Sequence, residues 1–131
     1  MTRLESNKVE LPVPAKAVYA FLSDFSHFQK LMPPQVIDWS SDSDTCSFTI
    51  KGMASLGLQF ESKKEFSEIV MKSAGKSPFV FQITSTITEA GPGSIVQLAL
   101  DADLNPFLKM MAEKPLTNFL NLLVEKLKEL V

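Results

Sequence analysis

Residues 101–130 read DADLNPFLKMMAEKPLTNFLNLLVEKLKEL, and the fold turns on this stretch. Its apolar residues change period partway. Up to Leu104 they alternate as in a strand, whereas Phe107, Leu108, Met110, Met111, Leu116, Phe119, Leu120, Leu123, Leu127 and Leu130 recur at largely helical spacing. The spacing predicts the longest helix of the chain over residues 106–131. Pro115 lies inside it and has no backbone N–H to give. The expectation is therefore a kink near Lys114, or a short helix to about Glu113 followed by a second with Pro115 in its first turn. Either way an apolar stripe must be buried against something.

Residues 36–104 supply the surface, because there the period is two and turn residues punctuate it, leaving room for five or six strands. Val36 to Ser40 comes first. Thr45 to Lys51 follows, with Cys46, Phe48 and Ile50 opposite Thr45, Ser47 and Thr49. Gly52 and Gly57 bracket a turn before Leu58, Phe60 and Ser62 alternate with Gln59, Glu61 and Lys63, and Phe66 to Ser73 returns. After a turn at residues 74–78, Phe79, Phe81, Ile83, Ser85 and Ile87 oppose Gln82, Thr84, Thr86 and Thr88. Past Gly91, Pro92 and Gly93, the last strand turns Val96, Leu98, Leu100, Ala102 and Leu104 inward and Gln97, Ala99, Asp101 and Asp103 outward. Such a sheet has one wet face, and its other face needs the terminal helix as a cover.

The N-terminal segment completes the pattern. Residues 3–12 read as one strand closed by Pro12 and Pro14, since proline cannot donate to a ladder. Val18, Phe21 and Leu22 then mark a short helix over about residues 15–23. Asp24 or Ser26 is placed to cap a further turn or two carrying Phe25, Phe28, Leu31 and Met32, stopped by Pro33 and Pro34.

Two stretches carry a resemblance. VELPVPAKAVYAFLSDFSHFQKLMP, residues 9–33, resembles the opening of bacterial SRPBCC proteins of the polyketide cyclase and lipid-transfer type. Residues 101–130 resemble the last strand and closing helix of small bacterial members of the same group. Over nearly its whole length the chain is similar to the helix-grip superfamily, which includes START and Bet v 1-like proteins. The resemblance implies an α+β fold. A curved antiparallel sheet of six to seven strands would grip a long kinked C-terminal helix, with two short helices after the first strand and residues 1–131 forming one domain. It also implies a cavity between sheet and helix that holds lipids, sterols, polyketides or other apolar molecules. Plant members carry a glycine-rich loop between their second and third strands. Here that turn reads Ser41, Asp42, Ser43, Asp44, which points away from hormone binding.

Composition narrows the function classes. A chain of 131 residues with 45% hydrophobic and 21% charged residues suits one globular core. The 13 basic and 15 acidic residues are interspersed and form no phosphate-tracking stripe, so no nucleic-acid partner is expected. No apolar run approaches a membrane span, and the first residues lack the apolar stretch of a secretory signal. With the single Cys46 excluding an internal disulfide, the expectation is a cytoplasmic protein.

Candidate chemistry is sparse. His27 is the single histidine and lacks an orienting partner in the sequence, and with one cysteine no zinc set is visible, so no metal or cofactor is expected. Cys46 falls on an apolar parity and reads as a packed thiol. Asp24, Asp38, Glu61, Asp101 and Asp103 read mainly as solvated charges. Ser62, Lys64 and Ser85 share the apolar parity of their strands, which places them at a cavity wall or at strand ends open to water. Trp39 shares parity with Ile37 and reads as an edge buttress.

The expected ligand-binding set is Phe48, Ile50, Leu58, Phe60, Phe81, Ile83, Leu98 and Leu100 facing Phe107, Met110, Met111 and Phe119, with the region from Met110 to Leu116 and the Gly52–Gly57 turn as a gate. Three functions follow. The first is a binding or carrier protein for a small apolar molecule. The second is a cyclase or dehydratase using the same cavity, with Ser62, Lys64, Ser85 and Tyr19 as its polar candidates. The third is a protein-interaction module with a packed core.

Overall fold

The computed structural model describes residues 2–75 and 77–131, so the turn read at residues 74–78 includes Lys76, outside the described residues. The eight strands are β1 (Thr2–Glu5), β2 (Val9–Leu11), β3 (Val36–Ser41), β4 (Thr45–Ile50), β5 (Ala54–Lys64), β6 (Glu68–Ser73), β7 (Phe81–Ala90) and β8 (Gly93–Ala102). They form one antiparallel sheet in the order β1-β8-β7-β6-β5-β4-β3, with β2 also pairing β8. Helices α1 (Ala15–Leu22) and α2 (Phe25–Phe28), followed by a 3-10 turn at Gln29–Leu31, lie between β2 and β3, and α3 (Pro106–Leu130) follows β8. This is the expected α+β arrangement with more strands than the expected six to seven.

The additional strand comes from a break in the first one. Glu5 pairs with Ala99 but Val9 pairs with Val96, so the N-terminal segment carries one residue more than β8 between these points. Ser6 fills the break: its N–H donates to the Leu98 carbonyl at 2.8 Å, and its hydroxyl accepts from the Leu98 N–H at 2.9 Å. The backbone of β8 is thereby satisfied across the gap.

Two further bulges redirect side chains. In β5, Phe60 pairs with Met71 but Ser62 pairs with Val70, so one extra residue reverses the parity beyond Phe60. Lys63 then takes the inward side opposite the fully buried Ile69, with its ammonium 4.0 Å from the Phe60 ring centre and donating to the Ser23 carbonyl at 3.2 Å. Ser62 and Lys64 face outward, which removes them from the inward set the alternation predicts. In β3 the shift falls at Asp38, whose φ is 55°. Beyond it Trp39 no longer keeps parity with the exposed Ile37 and stacks on Phe48 at 5.5 Å.

Hairpin and helix ends have local causes. The Asp42 carboxylate accepts from the backbone N–H of Asp44 and Thr45, both at 2.8 Å, and so turns the chain between β3 and β4 without a glycine. The Asp24 carboxylate accepts from the Ser26 N–H at 2.8 Å and from its hydroxyl at 2.7 Å, capping α2. These bonds hold Asp24 below the ordinary carboxylate pKa, the Ser26 hydroxyl contributing most.

Helix α3 runs unbroken through Pro115, so the two-helix alternative does not occur. Asn105 caps it by accepting from the Leu108 N–H at 2.8 Å, and Pro106 occupies the first position, where its missing donor costs nothing. Its buried side is Leu116, Phe119, Leu120, Leu123, Val124 and Leu127. Together with Val18, Leu22, Phe25 and Phe28 from α1 and α2, these cover the inward sheet face of Leu58, Ile69, Met71, Ile83, Leu98 and Leu100. Each such side chain contributes about 1.5–3 kcal/mol by burial. On the outer face Thr84 and Ala99, cross-strand partners, are nevertheless buried.

Candidate ligand cavity

The tight turn after β4 shapes one end of the molecule. The Met53 N–H donates to the Ile50 carbonyl at 3.0 Å, and Gly52 adopts φ 79°, a left-handed conformation that suits glycine. The Lys51 N–H donates to the Gln35 carbonyl at 2.8 Å and so ties the start of β3 to this turn. Gly57, expected to close the turn, lies instead inside β5. A Cβ there would strike the Ala74 carbonyl, so the glycine is required by close backbone approach.

Between this turn and the first half of α3 lies a cavity of about 580 Å³. Ile50, Met53 and Ala54 line it from the β4–β5 side, Pro78 and Phe79 from the segment before β7, and Leu108, Met111, Ala112, Pro115 and Phe119 from α3. The polar residues bordering it are Gln35, Lys51 and Asn118, all exposed. A volume of this size, walled by apolar groups with a few polar ones, is the usual form of a small-molecule site.

The expected ligand set is distributed unevenly about it. Ile50, Met111 and Phe119 line the cavity. Phe48 lies behind it, stacked between Trp39 at 5.5 Å and Phe119 at 6.3 Å. Leu58, Phe81, Ile83, Leu98 and Leu100 are packed core, each no more than 2% exposed. Phe60 stacks on Phe25 at 4.1 Å. Phe107, Met110 and Met111 are 63%, 75% and 61% exposed; Met111 borders the cavity, whereas Phe107 and Met110 do not. The reason is phase. With the buried side of α3 fixed from Leu116 to Leu127 and the helix unbroken at Pro115, stepping back at 100° per residue carries Phe107 and Met110 around to solvent.

Gln35, Lys51, Met53, Phe79, Leu108, Ala112 and Asn118 were outside the expected set. For the helical members a signal existed, since Leu108, Met111, Ala112, Pro115 and Phe119 follow i, i+3, i+4 spacing and form a stripe beside the core stripe.

The polar candidates do not converge here. Ser85 is fully buried in the middle of β7, and its hydroxyl has no hydrogen-bond partner among the described residues. Tyr19 meets Phe66 edge-on at 5.6 Å, and the His27 ring stacks on Phe21 at 5.0 Å. Burial pushes the Cys46 thiol up to about 12, so it stays protonated at neutral pH. No group of three metal-ligating side chains occurs among the described residues. A second hollow, about 710 Å³, opens beside β3–β5. Its wall mixes the polar residues Asp38, Ser40, Ser47, Thr49, Ser55 and Gln59 with Cys46, Phe48 and Leu56.

No family model matches the chain, and no curated protein matches it in sequence. Solved structures do. A START superfamily protein from Mycobacterium smegmatis is 18% identical, with 98% of this chain and 96% of that one covered at a TM-score of 0.76. Truncated norcoclaurine synthase from Thalictrum flavum is 12% identical, with 98% and 92% covered at a TM-score of 0.79. The protein XoxI from Bacillus cereus is 10% identical, with 98% and 94% covered at a TM-score of 0.78. At such identities the likeness is one of architecture. No helix among the described residues is long and apolar enough to cross a membrane. The chain has the helix-grip fold, a curved antiparallel sheet closed over a long C-terminal helix.

Proposed function

We propose that the protein binds and carries a small apolar molecule in the cavity between α3 and the β4–β5 turn. The observation that carries this reading is the cavity of about 580 Å³, whose wall is mainly apolar and which is bordered by the glycine-containing turn. Ile50, Met111 and Phe119 of the expected set, with Leu108 and Ala112, are the contacts. The remaining inward residues give the wall its rigidity. Transfer of the guest from water supplies most of the affinity.

The likeness to a norcoclaurine synthase brings catalysis forward as the alternative. Acid–base chemistry calls for at least two ionisable groups reaching the reacting atoms. Lys51 is the one ionisable side chain on the described cavity wall, and a carrier fits that lining better. We extend the reading to a cytoplasmic carrier, in which the buried, protonated Cys46 serves as a small apolar side chain.

The test is mass spectrometry of the purified protein under native and denaturing conditions, with titration by Nile red, a neutral apolar fluorophore. An adduct lost on unfolding, or saturable Nile red binding displaced by alkyl compounds, is the expected result. A protein that carries no adduct and takes up neither the dye nor any alkyl compound overturns the reading.

A further inference from the structure

We infer that the ligand is an amphipathic anion, an apolar chain or ring ending in a carboxylate, and that Lys51 is the residue that selects for that charge. This rests on the carrier reading above and names the ligand class of the same cavity. Three observations converge. The cavity wall is apolar along α3 and β4, so a guest must present hydrocarbon there. Its charged lining consists of one cation, Lys51, and no carboxylate. Ion pairs among the described residues join Arg3 to Glu5 and to Asp101, and Lys126 to Glu129, so Lys51 has no acidic partner of its own.

The placement suits a head group. Lys51 is exposed at the rim, in the turn, so its ammonium stays hydrated when the cavity is empty. Its backbone N–H is tied to the Gln35 carbonyl by the 2.8 Å hydrogen bond, and Gln35 borders the same cavity. Asn118 adds a second amide from the α3 side of the same cavity. Of the polar residues bordering the cavity, Lys51 is the one whose charge distinguishes a carboxylate from a neutral head group. A neutral guest gains nothing from the hydrated cation, and a cationic one meets repulsion.

Dodecanoic acid, 1-dodecanol and dodecylamine share one chain and differ in head-group charge. Each is measured by displacement of Nile red from the wild type, Lys51→Met and Lys51→Glu at neutral pH and low salt. The informative quantity is the ratio of acid to alcohol affinity, because chain burial cancels in it. The expected result is that this ratio drops about fivefold in Lys51→Met, the size of one rim ion pair. It drops further in Lys51→Glu, where the amine gains instead, and the difference shrinks as salt is added. Unchanged ratios across the three proteins, with all three compounds still bound, overturn the anion assignment and leave the carrier reading standing. Failure of the wild type to bind any of the compounds or the dye overturns both. Circular dichroism of the two variants, at an exposed turn position, verifies that they remain folded.

Discussion

Ser85 is the residue whose chemistry fits its surroundings least. It is fully buried on the inward side of β7, between Ile69 and Leu98, and its hydroxyl has no partner among the described residues. A buried hydroxyl without a hydrogen bond costs about 1–3 kcal/mol in protein interiors. Replacing it with alanine removes the penalty and opens only the space of one oxygen. Ser85→Ala is therefore expected to unfold at a higher urea concentration, by about 1 kcal/mol of stability; a loss of 1 kcal/mol would show that the hydroxyl is satisfied within the folded protein. The inward direction of Ser85 was legible from alternation with Phe81, Ile83 and Ile87. Its burial was not, because alternation reports the face of a strand and says nothing about what covers it. The same limit explains Ser62 and Lys64. Alternation assumes an unbroken register, and one unpaired residue after Phe60 inverts every side chain that follows.

At the scale of elements, period and punctuation placed the strands and helices well, because each signal is local. The Thr45–Ile50 alternation, the proline stops after α2 and the helical spacing after Phe107 all reappear as elements. What was not legible depends on partners distant in sequence. Residues 3–12 broke in two because Ser6 bonds the backbone of Leu98, 92 residues away. Helix α1 shows the same dependence. Pro14 precedes it and offers no side-chain cap, so the N–H of Ala15 takes the Glu89 carboxylate of β7 at 2.8 Å. The carboxylate also lies where the helix dipole favours negative charge. Glu89→Ala leaves that donor without its partner and is expected to cost about 1 kcal/mol, the usual loss of an N-terminal cap. Glu89→Gln, which keeps an acceptor oxygen, recovers part of it. Urea denaturation of the three proteins checks both numbers, and equal midpoints would mean that water caps α1 as well as Glu89 does.

At the scale of the whole molecule, a helix gripped by a sheet has two kinds of apolar contact, and they need different probes. From Leu116 to Leu127 α3 is locked into closed core, where the expected residues Phe81 and Leu98 are 2% exposed and a charged substitution would unfold the protein before it reported on a ligand. From Leu108 to Pro115 the same helix borders open volume. Sequence spacing pointed to Met110, Met111 and Pro115 around this region, yet Met110 faces solvent, and spacing could not separate cavity from core, since the distinction depends on how three dimensions are filled. Ala112 separates them experimentally. It is half-buried and small, packing against the core on one side and bordering the cavity on the other, so an indole placed there extends into the guest's space. Ala112→Trp is expected to weaken Nile red binding at least tenfold, a loss of about 1.4 kcal/mol, while its urea midpoint stays within about 1 kcal/mol of the wild type. Retained binding would place the ligand elsewhere in the molecule. Collapse of stability would show that residues 108–115 are core like the rest of α3, and that the grip is closed along its whole length.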